Sequence, residues 1–463
     1  MEFVTLSDSA IPTARRTTHL QTETRTPMTS TLQSLFRISA ALFLLFSIQN
    51  NRVMAQDGSR GSRNMYLISH MPLGGMKATK GSATAGFEAL GRNTGDVVLD
   101  QGVGRPFVFV AKRGADQGVV AINISDEANP RVVGEWKSKA EVADIILFKS
   151  GPRTFLVATH PTSGATILDV TDPDEGQFDT IASLEVDGGL HHGFAYRHSN
   201  GRAYFFATGG GNIFVYDLAR LTSGDGTAVT SIPLPEDIPA IKYGFHSVSV
   251  QFEATTETDR LYAAGAGGYY ILDVTDVANP SLITAVNSAA VQIGRSVSAT
   301  PDGTHLVTAA GYRTAPMRIF DLRPAFEGTV PRIRTAVGAW TANWQNYAEN
   351  HTLRWPLVFT AAMDDGLQVF NMMNPFEPFT VGFYHTWDGP AASLANRDVN
   401  MTGAWDVDVR NSDGLIAVTD VNTGLWLFRL EGFENWDGRG WGFPNVSSVQ
   451  DWENGPTRST SWD

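Results

Sequence analysis

The stretch Ile-Leu-Asp-Val-Thr-Asp-Val-Ala-Asn-Pro at residues 271–280 is the fullest copy of a motif that recurs along the chain. Its polar third position is occupied in the successive copies by Asn123, Asp169, Asp217, Asp273, Asp321, Asn371 and Arg429. These seven copies are 46 to 58 residues apart. A strand-rich repeat of that period is typical of a β-propeller, whose blades are four-stranded sheets. We therefore predict an all-β chain that forms a seven-bladed β-propeller of four-stranded antiparallel blades.

Residues typical of strands and of turns delimit each predicted blade. Runs such as Phe-Val-Phe-Val at 107–110 are bounded by Gly, Asn, Asp and Pro, the residues that favour turns. The predicted blades are 94–138, 141–187, 190–237, 244–288, 294–340, 346–389 and 403–437. The seventh lacks a clear fourth strand, which would leave an open sheet edge. We predict that the strand-like run at 64–70 supplies that strand and closes the ring.

The beginning of the chain has the features of a secretory signal peptide at residues 28–55. Arg37 precedes an apolar stretch at 38–48, which is too short to span a bilayer, and small residues lead to Ala55. We predict cleavage after Ala55, a secreted or periplasmic protein, and no transmembrane span in the mature chain. The alternatives are a buried helix or an uncleaved anchor. The remaining segments are predicted to be a non-native extension (1–27), an N-terminal segment with the closing strand (56–93) and a polar, Trp-containing tail (438–463).

Composition excludes several classes of function. The 463-residue chain contains no cysteine, which rules out a disulfide framework, a thiol nucleophile and thiolate metal ligands. Its formal net charge is -13, so we expect no nucleic acid partner, because binding to phosphates needs a basic surface. The Gly-rich stretches at 208–212 and 265–268 fit hairpin turns that no helix follows, so we expect no nucleotide, and we expect no haem.

The motif resembles the LVIVD repeat of bacterial and archaeal secreted propellers. The resemblance covers residues 94–437 and includes the Gly-Tyr-Tyr turn at 268–270 before the fullest copy. It is strongest in the first, second and fourth blades and weaker in the fifth to seventh, where 321–324 and 371–375 depart from the pattern. The resemblance implies an extracytoplasmic propeller. It implies no particular reaction, because a fold does not fix a function.

The sharpest functional feature is a column of polar residues. The innermost strand of each blade lines the central channel of a propeller, and a His, Asp or Arg stands at its predicted start in every copy. These residues are Asp96, Asp144, His192 (or its neighbour His191), His246, Arg295, His351 and Asp406. Equivalent positions of a closed ring converge on its axis, so these side chains are expected to meet there.

The column supports two interpretations, which the sequence leaves open. In the first, His192, His246, His351 and Asp406 hold one transition-metal ion, since imidazole and carboxylate suit Zn, Mn, Fe or Cu. In the second, these residues hydrogen-bond the neighbouring blade or channel water and bind no ion.

Two column residues and Trp344 are predicted to bind a ligand: Arg295 by a bidentate contact with an anionic group, Asp144, and Trp344 as part of an aromatic wall, with a packed loop as the alternative for Trp344. Tyr196 and His198 flank a turn and are expected at the surface or at a sheet edge.

Three functions follow from these interpretations. The chain is predicted to bind a ligand or partner (a small molecule, a glycan or a protein) at its axial funnel. The alternative is a metal-dependent enzyme, a lyase, hydrolase or oxidase, whose ion keeps an open coordination position. The third is a scaffold in which the column only stabilises the channel.

Overall fold

Seven antiparallel sheets make up the fold, one for each copy of the motif, and the predicted fold class is confirmed. Each blade has four strands, and the short strand Ser62–Arg63 adds a fifth to the sheet of the sixth blade. The computed structural model describes residues 61–74, 93–102, 104–176, 178–235, 244–343, 348–388 and 402–438. The predicted extension, the signal peptide, Trp344 and the tail after residue 438 lie outside the described residues.

The strands follow one another around the ring, from the innermost strand of each blade to its outermost. Two strands precede the first blade, β1 (Ser62–Arg63) and β2 (Met65–Met71). Blades 1 and 2 contain β3 (Thr94–Leu99), β4 (Phe107–Lys112), β5 (Gly118–Asn123), β6 (Arg131–Lys137), β7 (Ile145–Ser150), β8 (Arg153–His160), β9 (Gly164–Asp169) and β10 (Asp179–Glu185). Blades 3 and 4 contain β11 (His192–Arg197), β12 (Ala203–Gly209), β13 (Asn212–Asp217), β14 (Thr230–Pro233), β15 (Phe245–Glu253), β16 (Thr258–Gly265), β17 (Gly268–Asp273) and β18 (Ser281–Val286).

The last three blades repeat the plan. Blades 5 and 6 contain β19 (Gly294–Ala299), β20 (His305–Ala310), β21 (Met317–Asp321), β22 (Gly338–Trp340), β23 (Asn350–Arg354), β24 (Leu357–Ala361), β25 (Leu367–Asn371) and β26 (Phe379–Tyr384). Blade 7 contains β27 (Ala404–Val409), β28 (Ile416–Asp420) and β29 (Gly424–Leu430). Helical structure in the described residues is limited to short turns, at Leu218–Leu221, Arg323–Phe326, Gly114–Asp116, Pro173–Glu175 and Ala289–Val291. None of these is long and apolar enough to cross a membrane.

The repeat motif encodes the turn that follows the third strand of each blade. In six blades the Asp or Asn side chain accepts a hydrogen bond from the backbone N–H two residues later, at distances of 2.7 to 3.0 Å. Such Asx turns need the short acceptor side chain of Asp or Asn. Arg429 in blade 7 has no such acceptor and instead binds the carboxylates of Glu127 and Asp413. The motif is therefore explained by the turn that it forms, and it does not mark a functional site.

The N-terminal strand closes the ring, as predicted. Strand β2 pairs antiparallel with β29, from Met65 opposite Leu430 to Met71 opposite Leu425, and becomes the outer strand of blade 7. The carboxylate of Glu127 in blade 1 accepts hydrogen bonds from Arg410 (2.7 Å) and Arg429 (2.8 Å) of blade 7. First and last blades are thus joined by backbone pairing and by ion pairs.

Apolar side chains fill the spaces between adjacent blades. Phe109 of blade 1, for example, belongs to one buried cluster with Ile145 and Leu156 of blade 2. Tyr196 and His198, predicted at the surface, are buried instead. The Tyr196 hydroxyl donates to Asp259 at 2.6 Å, and His198 Nε2 lies 3.3 Å from the same carboxylate. The prediction failed because blade 4 covers this turn of blade 3, and no local pattern shows that contact.

Candidate functional site

An axial cavity is lined by the innermost strands of all seven blades. Its volume is about 180 Å³. Apolar side chains form part of its wall, among them Val98, Ile146 and Phe194. One polar residue from each blade stands at the same level of this wall.

We call these seven residues the collar. They are Asp96, Asp144, His192, Ser247, Ser296, His351 and Asp406, and all seven line the cavity. These residues are equivalent because each pairs with the same position in the second strand of its blade. His192 lies opposite Thr208, His351 opposite Thr360 and Asp406 opposite Thr419. By the same register Ser247 and Ser296 occupy the collar positions of blades 4 and 5.

His246 and Arg295, predicted for the column, therefore lie one position earlier than the collar. The register of the first strand shifts between Phe245 and Ser247, and again between Gly294 and Ser296. Each bulge adds one residue to the strand and takes the charged side chain out of the collar, and neither His246 nor Arg295 lines the cavity.

In the described residues, collar side chains join five pairs of adjacent blades. Asp406 Oδ2 accepts from the N–H of Val97 at 3.0 Å, which links blade 7 to blade 1. Asp96 Oδ2 accepts from Ile145 N at 2.9 Å and Asp144 Oδ2 from Gly193 N at 2.6 Å, which links blades 1, 2 and 3.

The links continue around the ring. His192 Nδ1 accepts from Val248 N at 3.4 Å, and Ser296 Oγ lies 2.7 Å from His351 Nδ1. The collar thus has the structural role that the second interpretation expects.

Three carboxyl groups crowd one side of the collar. Burial raises the pKa of Asp96 well above its ordinary value, and the neighbouring carboxylates of Asp406 and Asp144 raise it further. Burial likewise raises the pKa of Asp406. On the other side, burial lowers the pKa of His351 to about 3, so this imidazole is neutral at physiological pH. The collar is therefore acidic and contains no permanently cationic side chain.

A basic and aromatic ring lies one residue earlier along the innermost strands, and we call it the mouth ring. It contains His191, His246, Arg295, Asn350 and Trp405, and in blade 1 the corresponding residue is Gly95. A Cβ atom at Gly95 would lie only 2.6 Å from Arg113 Nε, so the glycine leaves the space that the Arg113 side chain fills.

Aromatic and ionic contacts organise the mouth ring. The guanidinium carbon of Arg113 lies 4.5 Å from the Trp405 ring centroid and that of Arg295 lies 5.9 Å from it, both within cation–π range. The His191 and His246 rings are 4.5 Å apart. Arg295 also pairs with the fully buried Glu349.

The electrostatics of this ring oppose those of the collar. Burial by surrounding protein lowers the pKa of His191 to about 4, and Arg295 adds to this shift, although the residue as a whole is exposed over more than a third of its surface. Burial lowers the pKa of His246 well below its usual range, again with help from Arg295. Both imidazoles are thus held neutral chiefly by burial, and the positive charge of Arg295 adds to the effect.

The described residues do not bring together the four predicted metal ligands. Among them, no three His, Asp or Glu side chains form a group that could hold a metal ion. His246 belongs to the mouth ring, whereas His192, His351 and Asp406 belong to the collar. The Nε2 atoms of His246 and His351 are nevertheless buried without a hydrogen-bond partner in the described part of the chain. The metal ion stays a prediction.

The opposite part of the channel contains a buried ion pair that the sequence did not indicate. Arg354 is fully buried, and its Nη2 donates to Asp408 Oδ1 at 3.0 Å. Asp408 Oδ2 in turn accepts from Leu99 N at 2.8 Å. This pair ties blades 6, 7 and 1 together below the collar.

Comparison with known proteins adds little. No family model matches the chain, and no curated protein matches it. Among solved structures, it is similar to the WD40 β-propeller domain of Doa1, with 12% sequence identity and a TM-score of 0.48. The similarity covers 74% of this chain and 95% of that one. A similarity at that level carries no argument about function.

Proposed function

We propose that this protein is an extracytoplasmic binding propeller that takes a small ligand into its axial cavity. The observation that carries the proposal is the cavity itself, where apolar walls meet polar side chains from seven blades. A concave apolar site with a few convergent polar groups and perturbed pKa values is the usual form of a ligand site. The extracytoplasmic location is supported by the signal-like sequence at 28–55 and by the resemblance to LVIVD propellers.

A steric block of the cavity tests this proposal. Ser249 lines the cavity and is half-buried, so Ser249→Trp should fill the space while the blades stay folded. The matched control is Val132→Trp on the outer strand of blade 1, where the side chain is 50% exposed. Affinity selection from a library of small polar compounds, read by mass spectrometry, should show compounds retained by the wild type and the control only. Equal retention by Ser249→Trp would contradict the proposal.

The second candidate is a metal-dependent enzyme with its centre on the axis. It is favoured by one observation, the buried and unpartnered Nε2 atoms of His246 and His351. A transition-metal ion held by either of these imidazoles would act as a Lewis acid or activate a water molecule. Elemental analysis of the purified secreted protein beside the double variant His246→Ala/His351→Ala tests it. The enzyme hypothesis needs one ion per chain that the variant loses, and it fails if neither protein contains metal after incubation with Zn, Mn, Fe or Cu.

A further inference from the structure

Two serine hydroxyl groups in the axial cavity have no partner among the described residues. Ser247 and Ser298 line the cavity, and each is only 3% exposed. Ser249 and Ser296, the other serines of the wall, each hydrogen-bond the following blade, but the first two bond to nothing in the described part of the chain. A buried polar group without a partner costs free energy and does nothing for the fold. These hydroxyl groups therefore indicate a partner that enters the cavity.

The two serines stand at different depths on neighbouring blades. Ser247 is the collar residue of blade 4, whereas Ser298 follows the collar residue of blade 5 by two positions. Alternate residues of a strand point to the same side, and two residues rise by roughly 7 Å. A small molecule that bonds both hydroxyl groups must therefore carry polar groups at both of its ends.

The wall of the cavity is amphipathic at the deeper level. The residues two positions after the collar are apolar in blades 1, 2 and 3 and carry hydroxyl groups in blades 4 and 5. The apolar members are Val98, Ile146 and Phe194, and the hydroxyl members are Ser249 and Ser298. The three apolar side chains are half-buried, so each has surface left for a ligand.

A sugar ring matches both sides of this wall. A hydroxyl group donates and accepts, so serines can pair with the hydroxyl groups of a sugar without any compensating charge. The C–H groups on the face of the ring can pack against the apolar side chains of blades 1 to 3. The cavity volume of about 180 Å³ holds several water molecules at about 30 Å³ each, which is room for one ring.

Charged ligands fit this wall less well. An anionic group would meet the carboxyl groups of the collar, and the one cation among the described lining residues, Lys149, lies five positions after Asp144 along β7. A simple amine could approach the carboxyl groups, but it would leave the hydroxyl groups of Ser247 and Ser298 without partners.

We propose that the ligand of the axial cavity is a small sugar without an anionic group, whose hydroxyl groups bond to Ser247 and Ser298 and whose ring packs against the apolar side. This inference rests on the proposed function, since it assigns a chemical class to the ligand of the same cavity.

The first test is affinity selection, read by mass spectrometry, with four sets of ring compounds of similar size. They are neutral sugars, sugar acids, cyclic amines without hydroxyl groups and cyclic ethers without hydroxyl groups. We expect the wild type to retain neutral sugars above the other three sets. Ser249→Trp, which fills the cavity, should abolish this retention, and the exposed control Val132→Trp should keep it.

The double variant Ser247→Ala/Ser298→Ala tests the two hydroxyl groups. It should lower sugar retention about tenfold or more, the expected effect of losing two neutral hydrogen bonds. Its thermal midpoint should not fall, because neither hydroxyl group has a partner in the described part of the chain. The control Ser231→Ala/Ser281→Ala makes the same change at exposed positions of two outer strands and should alter neither property.

The outcomes separate the two proposals. Unchanged sugar retention in Ser247→Ala/Ser298→Ala, or a loss that comes with a lower midpoint, would overturn the sugar site. Retention of sugar acids, amines or ethers above sugars, abolished by Ser249→Trp, would overturn it as well and leave the binding function standing. If Ser249→Trp changes no retention, either in these sets or in the library of small polar compounds, both proposals fail.

Discussion

Replacing Asp420 by Asn should stabilise the protein at neutral pH and leave it almost unchanged near pH 4. Asp420 is fully buried in blade 7. Its Oδ1 accepts from the N–H groups of Asn422 and Thr423, and its Oδ2 accepts from the hydroxyl of Thr386 at 2.7 Å. An Asn side chain keeps the first acceptor, and its NH₂ group can donate to the Thr386 oxygen. The substitution therefore removes a buried charge and retains the hydrogen bonds.

The expected magnitude follows from the pKa. Burial raises the pKa of Asp420 from 3.8 to about 6. A carboxyl group whose pKa is raised by folding binds more protons in the folded than in the unfolded state between these two values. Stability is then greatest below pH 4 and falls as the pH rises towards 6. A shift of roughly two units corresponds to about 3 kcal/mol, so we expect Asp420→Asn to gain about 1–3 kcal/mol at pH 7.

The assay is the free energy of unfolding from urea titrations at several pH values between 4 and 8, for the wild type and Asp420→Asn. The difference between the two proteins should grow from near zero at pH 4 to its full size above pH 6. Asp126→Asn is the control, because hydrogen bonds to an exposed turn lower the pKa of Asp126. A difference independent of pH, or one in which Asp420→Asn is less stable at pH 7, would refute the reasoning.

Three further predictions concern the ring and its motif. Arg354→Met should lower the free energy of unfolding by about 3–5 kcal/mol because it leaves Asp408 buried without its cation, and adding Asp408→Asn should recover part of that loss in urea titrations. Deleting Met65–Met71 should lower the calorimetric midpoint far more than trimming residues 445–463, since it exposes the edge of β29. Asp273→Ala should cost about 1 kcal/mol by removing the turn acceptor, whereas Asp273→Asn should be close to neutral in the same urea assay.

The fold could be predicted because its signal is local. An Asx turn is formed by residues two positions apart, so the same short phrase appears in the sequence wherever the turn does. Even the weak copies at Asp321 and Asn371 retain the acceptor that the turn needs. The closing strand was predictable for another reason: blade 7 lacked a strand, and one unassigned strand remained near the N-terminus.

The candidate site was predicted less accurately, because register depends on bulges. In blades 4 and 5 the prediction chose the charged residues His246 and Arg295. The register shift before Ser247 and Ser296 places the collar one residue later in both strands. A better signal was present: most collar residues precede a β-branched residue that faces the blade, as in Ser247–Val248 and Ser296–Val297. Hydrophobic alternation locates such a position more reliably than charge does.

Two features of the channel left no signal in the sequence. Arg113 reaches the mouth ring from the end of the second strand of blade 1, through the space that Gly95 leaves open. Arg354 and Asp408 come from adjacent blades and are far apart in the chain. Both depend on the packing of side chains from distant segments. Which carboxylate pairs with a buried arginine depends on how the blades close into a ring. The spacing of residues along the chain does not contain that information.

The three aspartates of the collar favour a binding site over a scaffold. The N–H groups of Val97, Ile145 and Gly193 need acceptors, and Asn would supply them without charge. The chain has aspartate at all three places, although burial and, after it, the repulsion among them raise the pKa of Asp96, which costs stability at neutral pH. Perturbed groups that destabilise a fold are concentrated at functional sites. If the collar were only a scaffold, exchanging Asp144 for Asn would leave every binding property unchanged, whereas a ligand site would lose affinity while the blades remained joined.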